Sequence, residues 1–396
     1  MKLPKGWKSL KVGDIVDRFD AGVSVNGGDR PAVAGEDCVL KVSAVTDGQF
    51  HPEENKFIGG IERDRVTLTP RSDRMIMSRA NTPELVGMCA YIDRDYPESF
   101  LSDKLWQFEP RSGVAFSMRW LNYVLSSMEY RAKLQKLATG SSQSMRNISK
   151  ESVMQLDILF PPHETQKEIV DLLSTWDTAI EKTERLIAAK ERLVLTTIQR
   201  IIDSKASSWI HKRVDEIFEE ISNRNCLNDE LLSVTQDRGV IPRSMLDGRV
   251  MSPNGTLEAY KHVQSGDFVV SLRSFQGGLE YSGYMGIISP AYTVLRPKVR
   301  IETEFYRHFF KTYLFIQKYL AFSVIGIRDG KQISIPDFMI SKIPLPPAKE
   351  QAEIAFTLNL MRKEIDVHHS VLDKLKTQKR GLMQKLLTGK WRVKAS

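Results

Sequence analysis

The hydrophobic positions of this chain follow two kinds of pattern, and each kind occurs twice. In the first kind, Ile169, Leu173, Trp176, Ile180, Thr183, Ile187, Lys190, Val194, Thr197 and Ile201 recur at alternating steps of four and three. Ile354, Leu358, Met361, Ile365, His368, Leu372, Leu375, Lys379, Leu382 and Leu386 repeat that rhythm. A 3.5-residue period sustained over several heptads predicts a coiled coil. Each run begins just after a Pro-Pro pair, Pro161-Pro162 and Pro346-Pro347. Proline suits a first helical turn, where its missing N–H would be unpaired anyway. The helices are predicted to extend to about Ile202 and Leu387. At about 1.5 Å per residue, such helices are roughly 55–60 Å long, which suits a spacer made of two antiparallel helices. Polar seam positions such as Thr183, Lys190, His368 and Lys379 would set the register, and His368 reads as a seam or surface residue rather than a ligand.

The second kind of pattern is short and strand-like. Val39–Val45, Arg74–Arg79 and Leu105–Phe108 are apolar-rich runs bounded by Gly, Pro and Asp, which reads as strands. Residues 117–137 return to helical spacing. The later half repeats this order with Glu230–Thr235, Gly266–Arg273, Ala291–Pro297 and a helical stretch from Phe305 to Phe322. The offset between the copies drifts. It is 202 from Trp7 to Trp209, 194 from Asp73 to Asp267, 187 from Pro110 to Pro297, and then a constant 185, from Pro161 and Pro346 through to Gln199 and Gln384. An internal repeat of this size fixes the architecture. The expected fold class is α+β: two pseudo-repeated α/β domains, or heads, separated by two long antiparallel coiled-coil helices. The expected boundaries are 1–160, 161–204, 205–345 and 346–396.

Composition narrows the functional classes. The 396 residues suit two or more domains. A net charge of +8 suits a nucleic-acid partner. Three scattered cysteines, Cys38, Cys89 and Cys226, form no metal-ligand spacing and fit a reducing cytoplasm. Neither a signal core nor a membrane-length apolar run is present in the sequence. The motifs of phosphate loops, dinucleotide folds, zinc proteases and serine hydrolases are missing, so no catalytic centre and no metal are expected.

Recognition chemistry remains. Arg79 and Arg273 each follow a matched strand, with Asn81 and Thr82 after the first and Ser274 and Gln276 after the second. Arginine pairs bidentately with guanine, and Asn or Gln with adenine. Gly277 and Gly278 permit close backbone approach. Arg146, Arg328 and Lys331, in or beside Ser/Gly-rich loops, are candidate phosphate contacts, and Lys104 is a further candidate DNA contact. The candidate helix contacts are Ile169, Leu173, Trp176, Ile180 and Ile187, with Ile354, Leu358, Met361, Ile365 and Leu372 in the second copy.

The twice-used Pro-Pro-x-x-x-x-Gln-x-x-Ile motif comprises Pro161, Pro162, Gln166 and Ile169, then Pro346, Pro347, Gln351 and Ile354. Together with the opening Leu3-Pro4-Lys5-Gly6-Trp7 and the closing Gly381–Lys390, it resembles the specificity subunits of type I restriction-modification enzymes. The resemblance implies a non-catalytic subunit whose two heads each read one half of a bipartite, asymmetric site in double-stranded DNA. It implies helices that measure the unread spacer and dock methyltransferase subunits. S-adenosylmethionine, ATP and Mg would then belong to partner subunits, including restriction/translocase subunits, in the cytoplasm and away from membranes. The first copy departs from the pattern: it ends Gln199–Ser204, without the Thr388-Gly389-Lys390 close of the second. The competing reading is a two-headed protein scaffold that does not read DNA sequence. A nuclease or methyltransferase acting alone is a third.

Overall fold

The computed structural model describes residues 3–46, 48–140, 145–226, 228–236, 238–246, 257–271, 275–326 and 331–392. Contacts divide the chain into two compact units, Met1–Lys182 with Leu372–Ser396, and Thr183–Val371. Each holds one head and a stretch of each long helix.

The first head is built on a four-stranded antiparallel sheet in the order Val16–Ala21, Leu105–Pro110, Arg74–Ser78, Cys89–Ile92. Its sequence shows unbroken apolar runs because both faces are covered. Met75, Met77, Trp106 and Phe108 belong to one buried cluster, while the alternate residues Ile76 and Leu105 belong to another. Side chains on a strand alternate between faces, so two cores need apolar residues at every position. Lys8–Lys11 pairs antiparallel with Asp157–Phe160 and ties the ends of the head together.

The second head repeats this frame. Its sheet order is Phe218–Ile221, Tyr292–Pro297, Phe268–Ser271, Glu280–Tyr281. Ile210–Arg213 pairs with Lys342–Leu345 as the closing ladder. The drift in offset corresponds to different additions. The first head carries a three-stranded sheet of Ser99–Phe100, Cys38–Leu40 and Asn55–Phe57. The second carries two two-stranded ladders instead, Leu232–Thr235 with Gly239–Pro242 and Lys261–Val263 with Gly286–Ile288.

Both long helices form, as His163–Lys205 with 43 residues and Ala348–Leu387 with 40. Each has an acidic residue in its first turn and a lysine in its last, matching the helix dipole. In the first unit, Ile169 and Leu173 lie in the same buried cluster as Met383 and Leu386, and Lys379 forms an ion pair with Asp177. In the second unit, Lys190 pairs with Glu364 at 2.7 Å and Lys205 with Glu350 at 2.9 Å. Partner numbers fall as residue numbers rise, so these stretches run antiparallel. The heptad seam holds: Ile180, Ile187, Ile354, Leu358, Ile365 and Leu372 are buried, and Trp176 and Met361 are half-buried. The matching ends of both helices depart from the predicted rhythm: in the second, Met383 and Leu387 are buried and Leu382 is half-buried. After Val194 the buried positions are Ile198 and Ile202, not Thr197 and Ile201. This end packs on the second head, where Gln199 Oε1 accepts a hydrogen bond from the Leu314 N–H at 3.4 Å. The partner helix still runs alongside, as the Lys205–Glu350 pair shows, and steps of four follow the helix's own 3.6-residue turn where a strict 3.5-residue seam is not kept.

The twice-used glutamine has a structural job. Gln166 is wholly buried and Gln351 is 2% exposed. Gln166 Oε1 accepts from the Ser117 N–H at 2.9 Å, and its Nε2 donates to the Pro161 carbonyl at 3.0 Å. Gln351 does the same with the Glu302 N–H at 2.8 Å and the Pro346 carbonyl at 2.7 Å. Ser117 and Glu302 are the N-caps of the head helices Met118–Ser126 and Thr303–Phe309. One side chain therefore joins the long helix to the cap of its head. The other motifs meet in the first unit. Gly389 has φ +68°, and a Cβ there would lie 2.4 Å from Pro4 and 3.4 Å from Trp7. The closing glycine is thus where the C-terminal helix end seats on the opening Leu-Pro-x-Gly-Trp segment.

Candidate nucleic-acid interface

In the first head, the strand Arg74–Ser78 runs past Arg79 into Ala80–Asn81, which pairs antiparallel with Arg146–Asn147. The Arg79 N–H donates to the Lys104 carbonyl at 2.9 Å, and its own carbonyl accepts from the Ile148 N–H at 2.9 Å. Asn81 sits directly opposite Arg146 in the ladder. Arg79, Asn81, Thr82, Lys104 and Arg146 are therefore brought to one corner although they span nearly seventy positions.

Their side chains are not equally available. Arg79 Nε donates to the Asp103 carbonyl at 2.7 Å, and its guanidinium pairs with the Asp103 carboxylate at 3.6 Å. Asn81 is buried; its Nδ2 donates to Ser78 Oγ at 3.3 Å and its Oδ1 accepts from the Thr82 N–H at 2.9 Å. Both residues brace the corner. Thr82 and Lys104 are half-buried. Arg146 is half-buried too, and its Nε is buried with no hydrogen-bond partner. Behind the corner, Arg131 Nη2 donates to the Glu84 and Val86 carbonyls at 3.1 and 2.8 Å, and burial lowers its pKa.

In the second head, Gln276 is exposed on the turn Phe275–Gly277. Lys331 is exposed beside the strand Gln332–Ile333, which pairs with Val324–Ile325. It stands 185 positions after Arg146, so the two cations occupy matching places in the repeat. Arg273, Ser274 and Arg328 lie outside the described residues. Gly278 does allow a close approach, but to the protein itself: a Cβ there would lie 1.9 Å from the Phe310 carbonyl oxygen.

Sequence reasoning missed a second basic region. An open groove of about 820 Å³ in the second head is lined by residues that include Lys212, Arg213, Lys298 and Lys342. These residues are scattered over 130 positions; the ladder of Ile210–Arg213 with Lys342–Leu345 unites three of them, and the Lys298 N–H donates to the Ile217 carbonyl at 2.9 Å. It also missed the polar contacts under the head helices. In the first unit the Tyr123 hydroxyl donates to Asp177, which also pairs with Lys379. Burial chiefly, then the Asp177 charge, pushes the Tyr123 pKa up.

In the second unit His308, 2% exposed, places Nε2 3.0 Å from Asn359 Oδ1. Burial, reinforced by the nearby Arg362, holds its pKa down to about 4 from 6.5. The unfolded chain takes up this proton first, so stability present above pH 6.5 is lost as pH falls toward 4, by up to about 3 kcal/mol. The expected result is a melting temperature of the second unit that falls over this interval, with a flatter profile for His308→Gln. Equal profiles would contradict it.

Among the described residues no group of His, Cys, Asp or Glu is placed to hold a metal ion, and no helix there is long and apolar enough to cross a membrane.

Comparison with known proteins identifies the frame. A family model for the type I restriction modification DNA specificity domain matches residues 4–191 and again residues 206–377. The EcoEI specificity subunit of Escherichia coli is 22% identical over 205 residues, which are 51% of this chain and 34% of that protein. The putative MjaX specificity subunit of Methanocaldococcus jannaschii is 21% identical over 420 residues, covering 99% of this chain and 95% of the relative. A chain from a structural study of type I restriction-modification complex assembly has TM-score 0.55 at 16% identity, covering 99% of this chain and all of that one. The S subunit from M. genitalium has TM-score 0.52 at 15% identity, covering 98% of each chain. A frame written twice, with the family's domain matched on each copy, places this chain in the type I restriction-modification specificity family.

Proposed function

We propose that this chain is the non-catalytic DNA-reading subunit of a type I restriction-modification enzyme, working in the cytoplasm. Each head reads one half of a bipartite, asymmetric site, and the long helices set the unread spacer. The observation that carries this reading is the repeat itself: one sheet order and one closing ladder occur twice, with different strands added to each copy. Two copies of one frame with different additions suit two targets of one chemical kind. Lys104, Arg146, Gln276 and Lys331 are proposed as DNA contacts, together with Arg273, Ser274 and Arg328. Arg79, Asn81 and Thr82 are proposed to shape the corner that presents them.

The helices are also proposed to dock methyltransferase subunits. In the second unit, Phe356, Leu360, Val367 and Val371 are 71%, 60%, 61% and 41% exposed along one helical face. Apolar side chains repeating on a face turned away from the seam suit a partner helix. S-adenosylmethionine, ATP and Mg are assigned to partner subunits, including restriction/translocase subunits.

Filter binding of random duplex DNA across a salt series tests this reading against a protein scaffold. Phosphate contacts make log K fall steeply with log salt. The expected result is a steep slope, with neither cleavage nor methyl transfer by the chain alone. Binding without salt dependence would favour the scaffold.

A further inference from the structure

We infer that the basic groove of the second head is a docking site for the backbone phosphates of double-stranded DNA, outside the bases that the heads read. This rests on the DNA-reading function proposed above. Arg213 is largely engaged within the protein: its guanidinium pairs with Asp215, and its N–H donates to Glu216 at 2.8 Å. Asp215 is thus matched by the one guanidinium, and Glu216 is the single carboxylate charge left in the groove. Lys212, Lys298 and Lys342 are exposed, and none of them has an ion pair among the described residues.

The duplicated frame separates what folding requires from what it does not. The first unit's equivalents of Lys212, Lys298 and Lys342 are Leu10, Arg111 and Asp157. Leu10 and Asp157 sit in the same kind of ladder, with Leu10 opposite Ile158 as Lys212 is opposite Ile343, and the Arg111 N–H donates to the Ile15 carbonyl as the Lys298 N–H does to Ile217. Leu10 packs against the core, Asp157 is an acid, and Arg111 donates to the Gly13 carbonyl at 2.9 Å. The frame therefore folds with an apolar residue, an acid and an inward-bonded cation at these places. Three lysines along one groove, against the one carboxylate charge of Glu216, leave an excess of positive charge that gains stability from an anionic partner. The groove offers no side-chain amide to read a base edge. Its chemistry suits phosphates, which position a duplex without specifying its sequence.

The test is the salt dependence of DNA binding by the whole chain carrying Lys212→Leu, Lys298→Ala and Lys342→Ala together. Each lost phosphate contact flattens the slope of log K against log salt by about 0.9, so roughly 2–3 in all. The affinity for a duplex with the recognised site and for a scrambled duplex should fall by the same factor, leaving their ratio unchanged. A charge-retaining variant with arginine at the three positions should keep the wild-type slope, and matching melting curves confirm folding. A wild-type slope in the triple variant overturns the groove alone, as does a loss confined to the recognised site. Lost co-purification of a methyltransferase subunit at unchanged slope would mean a protein docks there instead. A wild-type chain that binds no duplex overturns the inference and the DNA-reading function with it.

Discussion

Replacing Gln166 by leucine is expected to lower the melting temperature of the first unit by on the order of 10 °C. The substitution leaves the Ser117 N–H and the Pro161 carbonyl without the partner that each has now. A buried polar group deprived of its hydrogen bond costs ~1–3 kcal/mol, and two are affected. Gln351→Leu should do the same in the second unit through Glu302 and Pro346. Differential scanning calorimetry of the two variants separates the effects, because each belongs to a different unit. A shift below about 2 °C in both would show that the motif does not fasten helix to head.

The second large effect concerns length. Adding four residues, about one turn or 6 Å, to the middle of both helices should lengthen the unread spacer by one to two base pairs while keeping both half-sites. Four residues introduce a local change of supercoil, which coiled coils accommodate. Adding them to one helix alone should instead disturb the ladder of ion pairs that includes Lys190–Glu364 and Lys205–Glu350. An unchanged spacer in the double insertion, read by methylation sequencing, would contradict the measuring role.

These effects are tied to features with very different visibility in the sequence. The helices were legible because a seven-residue period and a fixed 185-residue offset survive any substitution on their outer faces. Their register slipped at the matching ends of both, beyond Val194 where Ile198 and Ile202 are buried, and at Met383 and Leu387 in the second helix. Strand positions such as Arg74–Ser78 and Leu105–Pro110 were legible as apolar runs. Their pairing order was not, since adjacent strands come from distant stretches. The candidate interface was legible in part. The offset drift located the heads, but the sequence did not show that a ladder sets Asn81 opposite Arg146. Sequence position gave no hint that the Asn81 amide is consumed by Ser78 and Thr82. Nor did it show that Lys212, Lys298 and Lys342 share a groove. Both are consequences of tertiary pairing, which acts at separations no local pattern records.

The most direct measurement is methylation-aware sequencing of a host that carries this chain with the methyltransferase subunit proposed to dock on it. Two half-sites separated by a fixed unread gap are predicted. Exchanging residues 36–140 for the equivalent head of another family member should change one half-site and leave the other, with the gap, intact. A single uninterrupted motif, or a head exchange that altered both halves at once, would contradict the account.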